Sequence, residues 1–266
     1  METTSIRVAV IGAGNMGGAI VRGMVQGKLI RPEHISVSDI NETLLMQLKE
    51  FESGLVTTSS NLTAIEKADI ILLAVKPWLV SVVADEIRKK VNYKKQIIVS
   101  IAAGVDFKTL SMLFSDEAVI FRVIPNTAID VMQSVSVISG CRNTRQQEAL
   151  IGSVFSESGK VFFVPENQLG ALTSLASCGI AYAFRYIRAA MEGGVEMGIY
   201  PGMAKEVILQ TLRGAVELLE ATGAHPEAEI DKVTTPGGIT IKGLNEMEAN
   251  GFSNAVIRGL KASHIK

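Results

Sequence analysis

The stretch IRVAVIGAGNMG, residues 6–17, decides the fold of this chain. Its first half, residues 6–11, is apolar apart from one arginine, which is typical of a strand buried inside a sheet. Its second half has the spacing G-x-G-x-x-G and leads into a helical stretch. In that context Gly12 permits a tight turn, Gly14 lets a pyrophosphate approach closely, and Gly17 lets the helix pack on the strand. The stretch therefore predicts a dinucleotide-binding unit.

Apolar runs and helical stretches alternate after this motif. A helix is predicted over Asn15–Gln26, and further strands over 35–38, 55–58, 70–75, 96–101, 119–123, 134–139 and 160–164. Repeated alternation of strand and helix indicates an α/β fold with a doubly wound, mostly parallel Rossmann sheet. Such a sheet binds its ligand along the carboxyl ends of its strands.

The pattern changes after Val164, because no strand signal follows. We expect a dinucleotide-binding domain over residues 1–164 and an all-helical domain over residues 165–266. Its first helix is predicted over 166–198, and it is apolar around most of its circumference. The many small residues of that helix favour a second chain packed against it, and burial within one chain is the alternative.

Composition narrows the range of partners. The chain has 266 residues, 47% hydrophobic and 20% charged, with a net charge of −1, which fits a folded protein. That charge gives no general attraction for nucleic acid or an anionic membrane, so a small-molecule partner is expected. Cys141 and Cys178 lack paired spacing and no cluster of metal-ligating residues appears, which predicts no metal site. A reducing compartment fits best, and the first residues do not resemble an export signal, so we expect a cytoplasmic protein.

A second informative run is DKVTTPGGITIKGLNEME, residues 231–248. Its Pro-Gly-Gly turn bends the backbone sharply just before a predicted helix. Gly238, Ile239 and Thr240 would then present unpaired N–H groups at the helix start. Such a cradle suits a small anion, especially a carboxylate. The alternative is a tight loop before an ordinary helix.

The end of the second strand bears on cofactor choice. A carboxylate at Asp39 would accept hydrogen bonds from a ribose diol and repel a 2′-phosphate, which favours NAD(H). Ser38, Asn41 and Asn61 could still accommodate NADP(H). Asp39 could instead cap the following helix.

Two further strand ends face the expected cofactor position. Lys76 follows the fourth strand, where it could hold a phosphate or ribose or could simply be solvated. Asn126 follows the sixth strand. It could orient the nicotinamide carboxamide or line the pocket, or it could be a turn residue after proline.

Several motifs together resemble those of the pyrroline-5-carboxylate reductase family over nearly the whole chain. They are GAGNMGGAI, LLAVKP, SIAAGV, RVIPNTA and DKVTTPGGITIKGL, in the family's order and spacing. The resemblance implies reduction of Δ1-pyrroline-5-carboxylate to L-proline, the last step of proline biosynthesis, with NADPH or NADH. It also implies a dimer built by the helical domain, often assembled further, as far as a decamer.

The residues and the resemblance together define the expected site. The expected cofactor-binding residues are Gly12, Gly14, Asn15, Met16, Gly17, Ser38, Asp39, Asn41, Asn61, Ala74, Val75, Lys76, Pro77, Ala102 and Asn126. The expected substrate-binding residues are Gly238, Ile239, Thr240, Glu166 and Lys232. A protonated cyclic imine is already electrophilic, so we assign no acid or base and expect Thr240 to act as an orienting donor.

Two other functions compete with this one. A β-hydroxyacid dehydrogenase of similar build normally needs a lysine on the long helix, and residues 168–184 contain none. A dinucleotide-sensing regulatory protein would have little reason to keep the Pro-Gly-Gly-Ile-Thr cradle.

Overall fold

The computed structural model describes residues 5–264 of the chain. The strands of its sheet are β1 (Val8–Ile11), β2 (Ile35–Ser38), β3 (Val56–Thr58), β4 (Ile70–Leu73), β5 (Ile97–Ser100), β6 (Ile120–Ile124), β7 (Ser134–Cys141) and β8 (Gly159–Phe163). The α-helices are α1 (Asn15–Gln26), α2 (Glu42–Phe51), α3 (Asn61–Ile65), α4 (Val80–Ile87), α5 (Phe107–Leu113), α6 (Arg145–Ser156), α7 (Leu169–Leu172), α8 (Gly179–Glu196), α9 (Pro201–Thr222), α10 (Pro226–Val233), α11 (Ile239–Ala249) and α12 (Phe252–Ala262).

The sheet has the strand order β3-β2-β1-β4-β5-β6-β7-β8. All neighbouring pairs are parallel except β6 and β7, which are antiparallel. The predicted fold class is therefore confirmed, and each predicted strand is present with small shifts at its ends. Because the chain leaves β1 towards β2 and later returns on the other side to β4, the strand order reverses at β1 and β4, where such sheets bind ligands.

Strand β1 is buried on both faces of the sheet. Val8 and Val10 belong to one hydrophobic cluster, and Ala9 and Ile11 belong to a second one. Successive side chains of a strand point to opposite faces, so the two clusters cover the two sides of the sheet. This double burial explains why the sequence of β1 is a continuous apolar run.

The long helix predicted over 166–198 is interrupted. Residues Glu166–Gln168 form a 3-10 turn, α7 follows, and Thr173–Cys178 form a π-helical segment before α8 begins. Within the π-helical segment, the Ser177 hydroxyl donates to the carbonyl oxygen of Pro125 at 3.1 Å. The sequence predicted one continuous helix because its apolar residues recur with a period near 3.6. That period cannot reveal a widened turn whose hydrogen-bond partner, Pro125, is remote in sequence.

The chain divides into two compact units between Ser177 and Cys178, not at the predicted boundary after residue 164. The difference has a packing cause. Leu169 is buried in a cluster with Ile124 and Val137, so the first turns after β8 pack within the first unit.

The second unit consists of α8 to α12. Helices α8 and α9 approach closely at Gly194, where an added Cβ would lie 3.3 Å from the Cβ of Ala204. Of its described residues, 178–264, these two alone are buried. Helix α11 begins directly after the Pro-Gly-Gly turn, where a helix was predicted. None of the α-helices in residues 5–264 combines the length and apolar character needed to cross a bilayer.

Candidate active site

The loop between β1 and α1 is built around two crowded glycines. Gly12 has φ +105°, and an added Cβ there would lie 2.5 Å from the carbonyl oxygen of Ala74. An added Cβ at Gly17 would overlap the carbonyl oxygen of Gly12. Both glycines are therefore required by the packing of the chain itself, whether or not a ligand is bound.

Gly14 differs from its neighbours, because an added Cβ there would meet nothing within 4 Å. It is the N-cap of α1, and no side chain caps this end and no acidic residue lies in the first turn. The first amide groups of the helix, including those of Asn15 and Met16, have no carbonyl partner within it. The open backbone at Gly14 therefore fits the pyrophosphate of a dinucleotide.

Asp39 connects this loop to the next helix. Its Oδ2 accepts a hydrogen bond from the N–H of Ala13 at 2.6 Å, and its Oδ1 accepts one from the N–H of Asn41 at 2.8 Å. The cap of α2 is Asn41, whose side chain accepts from the N–H of Thr43, so the alternative that Asp39 caps this helix is wrong. Asp39 holds the glycine loop at the place where the adenosine ribose is expected.

Ser38 is fully buried behind Asn61. Its hydroxyl donates to Asn61 Oδ1 at 2.7 Å, and Asn61 Nδ2 donates to Glu86 Oε2 at 2.8 Å. The Ser38 side chain therefore supports Asn61 from inside the fold, and a cofactor contact of Ser38 stays a prediction.

The segment after β4 borders the glycine loop through Ala74. Val75 packs against the hydrophobic cluster on one face of the sheet, whereas Lys76 is exposed at the start of a short 3-10 helix, Pro77–Leu79. After β5, Ala102 is buried and its N–H donates to Ser100 Oγ at 3.3 Å.

Asn126 is buried, and both ends of its amide are bonded within the protein. Its Oδ1 accepts from the N–H of Ala128 at 3.2 Å, and its Nδ2 donates to the carbonyl oxygen of Ala176 at 3.2 Å. This arrangement favours the alternative of a turn residue after proline, because Asn126 caps the short 3-10 helix Thr127–Val131. The side chain also joins the end of β6 to the π-helical segment.

Arg122 is not among the predicted site residues. Its Nη1 donates to Glu166 Oε1 at 2.8 Å, and the same oxygen accepts from the N–H of Phe107 at 2.7 Å. Arg122 is 8% exposed. The sequence offered one indication of its role, since Arg122 interrupts the apolar run of β6 and an arginine is seldom buried unless it has a partner.

A cavity of about 330 Å³ lies beside this ion pair. It is lined by Ala103, Gly104, Asp106, Arg122, Ile124, Glu166, Asn167, Leu169, Gly170 and Thr173. Asp106 caps α5, and hydrogen bonds from Thr109 lower the pKa of its carboxyl group. The cavity therefore carries one guanidinium and two carboxylates.

In the second unit, the Pro-Gly-Gly turn precedes α11. Gly237 has φ +72°, and the N–H of Gly238 donates to the carbonyl oxygen of Thr235 at 2.9 Å, as in a type II turn. The expectation that Gly238 presents an unpaired N–H is therefore wrong. Ile239 and Thr240 remain exposed in the first turn of α11, which has no acidic residue and no side-chain cap.

Lys232 lies on α10, just before that turn. Its Nζ pairs with Glu229 Oε1 at 2.6 Å, and this hydrogen bond lowers the pKa of Glu229. Glu166 belongs to the first unit, whereas Lys232, Gly238, Ile239 and Thr240 belong to the second. No group of three or more potential metal ligands occurs within the part of the chain that the structure describes.

The fold and the glycine loop define a Rossmann-type dinucleotide-binding protein with an added helical unit. Residues 166–266 match the family "Pyrroline-5-carboxylate reductase dimerisation", and residues 7–104 match "NADP oxidoreductase coenzyme F420-dependent". Pyrroline-5-carboxylate reductase of Methanosarcina acetivorans is 33% identical over 97% of this chain and 96% of its own length. The chain belongs to the pyrroline-5-carboxylate reductase family.

Two further relatives agree with this placement. Pyrroline-5-carboxylate reductase 1 of Dictyostelium discoideum is 35% identical over 97% of this chain, which spans 49% of that longer protein. The crystal structure of Plasmodium falciparum pyrroline carboxylate reductase with NADP bound has a TM-score of 0.90 and 26% identity. It covers 99% of this chain and 96% of its own.

Replacing single glycines of the loop by alanine separates ligand binding from folding. The methyl group of Gly14→Ala has room within the protein, so we expect an unchanged unfolding temperature. The dinucleotide should bind about tenfold or more weakly, which corresponds to about 1.4 kcal/mol of lost binding free energy. Gly17→Ala overpacks the loop and should lower the free energy of unfolding by about 1–3 kcal/mol. Calorimetric titration with NADH and thermal denaturation measure the two effects. A Gly14→Ala protein with wild-type affinity would contradict the assignment.

Proposed function

We propose that this chain reduces Δ1-pyrroline-5-carboxylate to L-proline, with NADH or NADPH as the hydride donor. Membership of the reductase family along almost the whole chain carries the proposal. Two local features support it, namely the open backbone at Gly14 and the uncapped start of α11. They offer one cradle for a pyrophosphate and another for a carboxylate.

The reaction makes modest demands on side chains. A bound dinucleotide supplies a hydride from C4 of its nicotinamide ring. The protonated ring nitrogen of the substrate makes C5 electrophilic, so the protein's task is to bind and orient. The amides of Ile239 and Thr240 would hold the substrate carboxylate at the positive end of α11, and the Thr240 hydroxyl would donate to it. Glu166 and Lys232 remain proposed as residues at the edge of the substrate site. In the structure Glu166 pairs with Arg122, and Lys232 pairs with Glu229.

The choice between the two dinucleotides depends on Asp39 in this proposal. Its carboxylate is fixed by two backbone amides and cannot easily turn away. The following turn, residues 40–44, contains no lysine or arginine that could neutralise a 2′-phosphate. We therefore propose that both dinucleotides are used and that Asp39 favours NADH.

Self-association is proposed for the second unit. Its helices leave many large apolar side chains exposed, including Phe184, Tyr200, Met203, Val207, Val216, Leu218 and Ile257. Apolar surface of this extent usually marks an interface. Together with the family description of this segment as a dimerisation region, it supports a homodimer. The cytoplasmic location remains a prediction. Cys141 and Cys178, the two cysteines among the described residues, form no disulfide.

The first test is the loss of NADH or NADPH absorbance after Δ1-pyrroline-5-carboxylate is added, with L-proline identified as the product. Thr240→Ala should lower kcat/KM about tenfold or more, because a hydrogen bond to a charged group is worth about 1.5–3 kcal/mol. The dissociation constant for NADH should hardly change. Thr211→Ala, on α9 of the same unit, is the control. Unchanged turnover in Thr240→Ala would refute the role of this hydroxyl.

Asp39→Ser should raise the ratio of kcat/KM for NADPH to that for NADH by about tenfold, equivalent to about 1.4 kcal/mol. The ratio is the relevant measurement, because loss of the bonds to Ala13 and Asn41 weakens both cofactors. Asp39→Asn keeps an acceptor oxygen but removes the charge, and it should shift the ratio in the same direction. If neither variant moves the ratio, Asp39 does not select the cofactor.

Val207→Glu should convert the homodimer to a monomer, because a buried unpaired carboxylate costs several kcal/mol at an interface. Val207→Ala shortens the same side chain without adding a charge and should leave the dimer intact. Light scattering coupled to size-exclusion chromatography measures both masses. A wild-type protein that is monomeric at micromolar concentration would exclude this interface.

A further inference from the structure

The cavity at the carboxyl ends of β5 and β6 has no assigned ligand. In a doubly wound sheet with this strand order, the adenosine half of a dinucleotide lies over β1 to β3 and the nicotinamide half over β4 to β6. The cavity of about 330 Å³ therefore lies on the nicotinamide side. It is formed entirely by residues of the first unit.

The cavity presents a donor beside an acceptor. The Arg122 guanidinium is a planar group with several N–H donors, and its Nη1 is bonded to Glu166. Its Nε is buried without a hydrogen-bond partner within the protein, which is unusual because nearly all buried polar atoms are hydrogen-bonded. Both hydrogen bonds that Glu166 accepts within the described residues end on Oε1. Oε2 therefore retains capacity to accept.

The charges decide which ligand group fits. With Asp106, the cavity holds two carboxylates against one guanidinium, which disfavours a phosphate or a carboxylate. A primary carboxamide matches the pair, because its oxygen accepts from a guanidinium and its NH2 group donates to a carboxylate. The nicotinamide ring carries such a group. Asn126, the earlier candidate for this contact, has its amide bonded to Ala128 and Ala176.

We propose that Arg122 and Glu166 recognise the carboxamide of the nicotinamide ring. The pair thereby fixes the rotation of the ring and the face that it presents for hydride transfer. The inference rests on the proposed function, since it assumes that a nicotinamide dinucleotide is the cofactor. It adds a specificity pair that joins the end of β6 to the segment following β8.

Three ligands, compared by calorimetric titration, separate the contribution of the carboxamide to binding from that of the rest of the dinucleotide. They are NAD⁺, its 3-acetylpyridine analogue, in which a methyl group replaces the NH2, and ADP-ribose, which has no nicotinamide. The wild-type protein should bind NAD⁺ about tenfold more tightly than the analogue, because the analogue cannot donate to Glu166. Glu166→Ala should bind the two equally. Arg122→Met should weaken both by about tenfold. ADP-ribose should bind all variants alike, which shows that the adenosine half of the site is intact.

Arg142→Met is the matched control. Arg142 donates to Ser111 Oγ in α5 and to the carbonyl oxygen of Ala118, which lies just before β6 at the opposite end of the strand from the cavity. It should leave all three dissociation constants unchanged. If Arg122→Met does not fold, Arg122→Lys keeps the charge without the planar fork and should show the same loss of NAD⁺ affinity.

A Glu166→Ala protein that keeps the wild-type preference for NAD⁺ over the analogue would overturn the inference. So would an Arg122→Lys protein with wild-type affinity for both nucleotides. Neither result affects the reductase activity proposed above. Conversely, a protein that discriminates the carboxamide but reduces no imine would refute the proposed function and leave this inference standing.

Discussion

The close contact between the start of α1 and the end of β1 is the constraint on which the cofactor side of the structure depends. Gly17 has no room for a side chain over the Gly12 carbonyl, and Gly12 has none beside Ala74. The helix start is therefore held directly against the ends of β1 and β4. That position aims the unpaired amides of α1 at the crevice where the strand order reverses, which is where a pyrophosphate can be bound.

A second set of contacts extends this arrangement from the end of β6. Arg122 is bonded to Glu166, the carbonyl of Pro125 accepts from Ser177, and Asn126 donates to the carbonyl of Ala176. These bonds connect one strand end to the whole segment that leads into the second unit. Two of them involve the π-helical segment, through the carbonyl oxygen of Ala176 and the hydroxyl of Ser177.

The second unit differs from the first in how few of its residues are buried. Its helices are well formed, yet among residues 178–264 burial is confined to Gly194 and Ala204. Helical stability in proteins comes mainly from packing an apolar face, so a unit with so little burial calls for another surface. The second copy of the chain that is proposed above would satisfy this requirement.

The sequence by itself determined the fold class, the positions of the strands and the nature of the glycine loop, because these follow from local periodicity and from residue types at fixed spacing. It also indicated the family. Only the tertiary structure decided which polar groups are free. Asn126 and Ala176 are 50 positions apart, and Arg122 and Glu166 are 44 apart. Their pairing is set by the order of the strands and by the path of the chain after β8, which no local pattern encodes. The division between Ser177 and Cys178 likewise follows from packing between remote residues, because Leu169 is buried against Ile124 and Val137.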